Sequence, residues 1–297
     1  TPAGSPTTGA SGTPATSAGA KAPIRIGSDG FYEAKLMAEI YAQVLEADGY
    51  KVERKLGLGA REVTAAAIEG AQIDLKPEYL GSGLGSYDKT KPGADAAKNK
   101  SELQTILDGK GGGITVLGFT PGQDTNAFVV RKDTADSLKL TKMSDLAAVQ
   151  DQLTWALPPE CEKNPLCGGA LKDAYGITIP PKKLKPLAAC DAPIAEALNS
   201  KAVDLAELCS TQPAIAQFGF VALEDDKKTQ PAENIAPLVR NDYLAKVDKA
   251  AFQKLLDDAS AKMTTEELTK LGVQVAVDQK DVAEVAKAWL KAQGLME

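Results

Sequence analysis

The side chains of this sequence that could act on a small molecule are carboxylates, hydroxyls and a tyrosine set in short runs rich in Gly, Pro and Ser. Ile73-Asp74-Leu75-Lys76-Pro77-Glu78-Tyr79-Leu80-Gly81-Ser82-Gly83 begins like a buried strand and ends in small residues around Tyr79. Related runs are Gly27-Ser28-Asp29-Gly30-Phe31, Gln123-Asp124-Thr125-Asn126, Pro158-Pro159-Glu160-Cys161 and Cys209-Ser210-Thr211-Gln212. A tyrosine in such a place either half-packs on a surface or faces a ligand. An Asp in a Pro-Gly turn, as Asp124 is, either caps its own turn or does the same. Catalysis is narrowly bounded, because the 297 residues contain no histidine. The usual general base, the Ser-His-Asp and Cys-His arrangements and the commonest zinc ligand are all missing.

Two short elements must precede each run for it to sit at the end of a sheet, and the sequence supplies them. APIRIG reads as a strand, and FYEAKLMAEIYAQVLEADGY carries Leu36, Ile40, Tyr41, Val44 and Leu45 at helical spacing before a Gly stop. KVERKLGL, REVTAAAIEGA and QIDLKPEYL continue as strand, helix and strand, so the opening is β-α-β-α-β and predicts an α/β domain with a largely parallel sheet. GITVLGF and TNAFVVRK are strands split by a Pro-Gly turn, and QLTWALP, GGALKDAYGI, PIAEALNSK, VDLAELC and FGFVALED repeat the alternation. Three helical segments follow Ile235. Phe128, Trp155 and Trp289 fall in apolar or amphipathic runs and read as core, Tyr175 as structural, and Glu224–Lys228 as a solvated charge run. In open α/β sheets ligands sit beyond the carboxyl ends of the strands, which is where the five runs fall.

Composition excludes several partners. The charged share of 25% and hydrophobic share of 43% are those of a globular protein, and no run is long enough to span a bilayer. Net charge is -6 with the signs interspersed, so no basic stripe invites nucleic acid. Residues 1–21 are almost wholly Thr, Ser, Gly, Ala and Pro and read as a flexible tether. A start without Met fits a processed exported protein, and equally a trimmed chain. Cys161, Cys167, Cys190 and Cys209 form an even, clustered set that suits disulfides in an oxidising compartment. Spacing favours Cys161 with Cys167 and Cys190 with Cys209, although four cysteines allow three pairings. Zinc is disfavoured by the spacing and the lack of His, and no cofactor is expected.

The segment RIGSDGFYEAKLMAEIYAQVLEADGYKVERKLGLGAREVTAAAIEGAQIDLKPEYLGSGL resembles the opening of the osmoprotectant (glycine betaine, carnitine and choline) substrate-binding proteins of ABC importers. PPECEKNPLCGGALKDAYGI, VDLAELCSTQPAIAQFGFVALEDDKKTQPAENIAPLVR and the closing helices are similar to the same family in the same order, so the resemblance covers nearly all of residues 23–297. It implies a bilobal type II periplasmic-binding-protein fold, two α/β lobes joined by two crossover segments, and no enzymatic activity. One lobe would hold residues 22–124 and 228–297 and the other 127–225, with hinges near 124–127 and 225–228. Its partners would be a small solute, ABC permease subunits, and a membrane reached only through an N-terminal lipid anchor, which places the protein outside the cytoplasm.

Relatives of this kind surround a quaternary ammonium with tyrosines and hold its carboxylate with cationic or hydroxyl groups. Here the family's Tyr-x-Gly-Thr turn reads Tyr79-Leu80-Gly81-Ser82, keeping one tyrosine and the hydroxyl. The other aromatic positions read Asn126, two residues beyond the retained Asp124, then Cys209 and Glu233. A first-turn Lys is replaced by Asp29 and a carboxylate-binding Arg by Asn164. The resemblance thus implies a ligand-binding set of Ser28, Asp29, Phe31, Tyr79, Ser82, Asp124, Asn126, Glu160, Asn164, Cys209, Ser210, Thr211 and Glu233, for a solute that is betaine-like or amino-acid-like, polar or cationic and rich in hydrogen-bond donors. The alternatives are an enzyme on the same scaffold using Asp124, Glu160 or Glu233 as acid and base, or the ligand-sensing domain of a receptor.

Overall fold

A computed structural model describes residues 21–88, 91–159 and 161–297. The expected tether, apart from Lys21, lies outside the described residues, and so does Glu160. The first half of the chain runs β1 (Ile24–Gly27), α1 (Tyr32–Ala47), β2 (Val52–Lys55), α2 (Arg61–Glu69), β3 (Leu75–Tyr79), α3 (Leu80–Asp88), α4 (Ala96–Leu107) and β4 (Ile114–Val116). It then enters a second unit: β5 (Asn126–Val130), α5 (Lys132–Leu138), β6 (Trp155–Leu157), a π-helical segment Pro165–Ala174, β7 (Leu184–Pro186), α6 (Ala192–Asn199), β8 (Leu205–Cys209), α7 (Pro213–Phe218) and β9 (Val221–Ala222). The return consists of β10 (Ile235–Arg240), α8 (Asn241–Leu244), α9 (Lys249–Lys262), α10 (Thr265–Gly272) and α11 (Val282–Ala292).

The strands make two five-stranded sheets of equivalent order, β2-β1-β3-β10-β4 and β7-β6-β8-β5-β9. Four strands of each described sheet run in one direction and one runs against them, so the sheets are mixed where β-α-β alternation predicted a largely parallel one. In the first sheet β10 runs antiparallel to β3 and β4, and in the second β5 runs antiparallel to β8 and β9. Each of these strands arrives from the other sheet, so the right-handed crossover that keeps βαβ strands parallel does not apply to it. It enters where its antiparallel neighbour, β3 or β8, ends, which fixes the geometry of the site.

The first core forms because α1 buries nearly its whole circumference. Leu36, Met37, Ile40, Tyr41 and Leu45 are fully buried against β1, β3, Phe252 and Leu256 of α9, and Trp289 and Leu290 of α11. Each such aliphatic side chain contributes about 1.5–3 kcal/mol of burial. The second core is built on Phe128, Trp155, Leu157 and Leu205. Trp155, Phe128 and Trp289 are thus core residues, Trp289 also donating its indole N–H to Glu267 at 2.8 Å.

Three helices were not legible as helices. The run Leu80–Asp88, expected as a turn, is α3 despite its three glycines. Tertiary contacts outweigh propensity: Leu80 and Leu84 pack on Leu103 and Leu107 of α4, and Glu233 receives the Ser82 N–H and hydroxyl, each at 2.9 Å. Gly81 must lack a side chain, since a Cβ there would stand 2.8 Å from Glu233 Oε1. The short α5 and α7 lie in runs read as strand ends or loops. The charge run at the return crossing is exposed at Glu224, Lys227 and Lys228 as expected, but its two aspartates are tied down: Asp225 accepts from the Tyr175 hydroxyl and from the Gln230 N–H at 2.9 Å, and Asp226 accepts from the Ser144 hydroxyl at 2.6 Å.

Candidate functional site

Register brings the two sheets' entry points together. Ile235 pairs with Tyr79 at the end of β3, and Asn126 pairs with Cys209 at the end of β8. Residues just before β5 and β10 therefore line the gap between the sheets. A cavity of about 320 Å³ lies there, walled by Phe31, Arg61, Tyr79, Ser82, Asp124, Asn126, Cys209, Gln230 and Glu233 among others. A neighbouring hollow of about 640 Å³ shares Phe31, Asp124 and Cys209 and continues past Tyr32, Thr211 and Cys190. Both expected disulfides are present, Cys161–Cys167 and Cys190–Cys209, so the Cys209 wall of the cavity is one half of a covalent link.

Tyr79 is buried, its ring 5.8 Å from that of the half-exposed Phe31. Its hydroxyl donates to Glu33 Oε1. Glu33 stands in the first turn of α1, only 2% exposed. Burial, and then the nearby Asp124 charge, push its carboxyl up to about 8. Its Oε2 is buried with no hydrogen-bond partner at ordinary distance, the Thr211 side chain being near enough only to moderate the shift. Asp124 is raised by burial too, although the Thr211 N–H donates to its Oδ1 at 3.1 Å. Burial likewise raises Glu233 to about 7, opposed by the two Ser82 hydrogen bonds. Desolvation and the charges of Glu33 and Asp124 hold the Tyr79 phenol well above its ordinary value, so it remains a donor.

Beneath this wall lies a balanced ionic group. Lys76, fully buried, donates to Asp29 at 3.1 Å, Glu78 at 3.0 Å and Thr64 at 2.7 Å. Arg61 donates from Nε to Glu78 at 3.0 Å. Two cations thus meet two carboxylates, which is what allows them to be buried. Burial opposes the Arg61 charge, but Glu78 more than offsets it and the guanidinium stays protonated.

Of the residues singled out in the sequence, Phe31, Tyr79, Ser82, Asp124, Asn126, Cys209 and Glu233 line the first cavity, and Thr211 lines the adjoining hollow. The others have separate work. Asp29 is bound to Lys76, and the Ser28 hydroxyl accepts from the Gly57 N–H at 2.9 Å. Asn164 caps the Pro165–Ala174 segment through the Leu166 N–H at 2.9 Å. Ser210 clamps the incoming strand, accepting from the Thr125 N–H at 2.9 Å and donating to the Gln123 carbonyl at 3.1 Å.

Residues 22–292 match the model of a family described as the substrate binding domain of ABC-type glycine betaine transport systems. The chain belongs to this family. It is 29% identical over 282 residues to the glycine betaine-binding protein YehZ of Escherichia coli (strain K12), covering 93% of this chain and 92% of that one. It is 27% identical over 296 residues to the carnitine transport binding protein OpuCC of Listeria monocytogenes, covering 96% and 91%. The solved structure of apo YehZ superposes with a TM-score of 0.82 at 26% identity, over 92% of this chain and 99% of that one. A glycine betaine/carnitine/choline ABC transporter structure, at 22% identity, shares the fold with a TM-score of 0.84, over 92% of this chain and all of the other. The chain is therefore a solute-binding protein of the ABC importer class, with the bilobal fold of that class. Its family consists of transport proteins that bind small solutes and deliver them to permease subunits. No helix among the described residues is long and apolar enough to cross a membrane.

Tyr32, Glu33, Arg61 and Gln230 were not anticipated at the site. Glu33 had one signal: it precedes Met37, Ile40 and Val44 on the apolar face of α1, an unfavourable place for a lone carboxylate. Arg61 had another, since a cation opening a helix opposes the helix dipole and needs a different reason to be there.

Proposed function

We propose that this protein is an extracytoplasmic receptor that closes two lobes over a small polar or cationic solute and presents it to an ABC permease, without chemical conversion of the solute. The lobes would be residues 22–124 with 228–297, and residues 127–225, moving about hinges near 124–127 and 225–228. An N-terminal lipid anchor would hold it at the membrane. The observation that carries this reading is the cavity at the meeting of the two sheets, to which both crossing segments contribute, Asp124 and Asn126 from one and Gln230 and Glu233 from the other. Hinge closure at such a place couples binding to a change of shape. The solute differs in kind from the quaternary amines: where a cage would offer further aromatic faces, this cavity offers Asn126, Glu233 and the Cys190–Cys209 link. A thermal-shift screen over betaines, choline, carnitine, amino acids and polyamines tests the reading. A solute at about 100 times its Kd adds roughly 2.7 kcal/mol to stability. A broad solute library that leaves the melting temperature unmoved would sink the proposal.

A further inference from the structure

Hydrogen-bonding capacity left over inside the cavity says more about the solute than the identity of its walls does. Most polar groups there are already used. Both Glu233 oxygens accept from Ser82, Asp124 Oδ1 accepts from Thr211, and Lys76 and Asp29 are matched within the ionic group. The remainder falls at two poles. At one, the wall carries the buried Asp124 carboxyl, whose Oδ1 accepts from the Thr211 N–H at 3.1 Å, with Glu33 nearby but outside the lining. Gln230 adds a buried Oε1 with no hydrogen-bond partner among the described residues, its Nε2 being committed to the Leu166 carbonyl at 2.7 Å. At the other pole, Arg61 uses only Nε, and its two terminal nitrogens have no hydrogen-bond partner among the described residues although the side chain lines the cavity.

A buried acceptor without a donor is costly, and a guanidinium with free N–H groups beside a cavity is ready to receive an anion. A trimethylammonium cannot meet the first need, having no N–H to give Gln230 or Asp124. An ammonium that carries N–H can, and a carboxylate is the planar, two-oxygen partner that a guanidinium fork fits. We infer that the solute is a small zwitterion with an N–H-bearing ammonium, its nitrogen donating to Asp124 and Gln230 Oε1 beside the Tyr79 ring and its carboxylate received by Arg61. This rests on the reading of the cavity as a solute site. The anion-binding role thereby passes to the start of α2.

The test is calorimetric titration of the full chain with glycine, sarcosine, dimethylglycine and glycine betaine, which share one carboxylate and lose one N–H at each step. Affinity should fall along the series, with betaine at least tenfold weaker than sarcosine. Arg61→Gln should weaken the best member at least tenfold, and Asp124→Asn should flatten the series toward equal affinities. Circular dichroism and the melting temperature of each variant establish that it is folded, and the wild-type series stands alone if Arg61→Gln is not. Betaine as the tightest member, or an Arg61→Gln variant that folds and binds unchanged, would overturn the zwitterion assignment. So would silence of all four beside a clear response to choline or a diamine, an outcome that leaves the receptor reading intact; silence of a broad solute library removes both.

Discussion

Glu33 makes stability depend on pH in a window where few proteins of this composition, without a single histidine, would respond. Burial and the Asp124 charge penalise its ionised form in the folded protein, raising the carboxyl from 4.5 to about 8. In the unfolded chain water removes that penalty. A group raised on folding contributes its full stability below the unfolded value and loses it as pH climbs through the folded one. Each pH unit in between costs about 1.4 kcal/mol per proton, so Glu33 alone weakens the protein by up to about 5 kcal/mol between pH ~4.5 and ~8. Glu233 and Asp124 shift in the same direction and add to the slope at the lower end of the window. Urea unfolding of wild type and Glu33→Gln at steps from about pH 5 to 8 isolates the residue, because glutamine fills the same space and never ionises. The two proteins should be close at the acid end and diverge by several kcal/mol toward pH ~8, the variant being the more stable. Parallel profiles over the whole range would show that Glu33 ionises freely in the folded protein and would refute the cost assigned to its burial.

Tyr79→Phe removes the one hydrogen bond that the Glu33 carboxyl accepts at ordinary length or shorter among the described residues, and should cost about 1–3 kcal/mol in urea unfolding near neutral pH. Opening the Cys190–Cys209 link by Cys190→Ser with Cys209→Ser frees a loop of sequence separation 19 and should cost about 3 kcal/mol, read by the same measurement under oxidising conditions. Gly81→Ala sets a Cβ against Glu233 and should drive that carboxylate off Ser82, destabilising the protein by about 1–3 kcal/mol. A variant as stable as wild type would mean that α3 needs no cap from Glu233.

All the described strands except β7, whose short run is mostly lysine and proline, were legible because their apolar runs are short and bounded by turn residues, and the long helices because α1, α9 and α11 carry apolar residues at helical spacing. What the sequence hid is whatever depends on a distant partner. LGSGLGSYD has the composition of a turn, and only Glu233, 151 residues from Ser82, makes its start a capped helix end. The antiparallel course of β5 and β10 follows from travel between sheets, which no local pattern encodes. The same division runs through the site. Tyr79, Asp124, Asn126 and Cys209 stand in loops at strand ends, where small and Gly-Pro neighbours give them away. Glu33 and Arg61 open helices, where acidic and basic residues are ordinary, and their importance lies in what they fail to find: a donor for one, an acceptor for the other.

An aromatic cage and this cavity solve different electrostatic problems. A ring of tyrosines attracts a cation through its faces and is no worse off empty, since water and the rings coexist without a buried charge. Here burial raises both Glu33 and Asp124 and the Asp124 charge further resists ionisation of Glu33, so this wall favours a bound proton or another positive charge beside Asp124. A bound ammonium does the same work as that proton and, through its own N–H groups, satisfies the acceptors that the proton leaves idle. Occupied and protonated cavities are thus two answers to one cost. A solute that brings positive charge but no hydrogen would close the lobes over acceptors it cannot satisfy, and by that difference the cavity discriminates against the fully methylated amines.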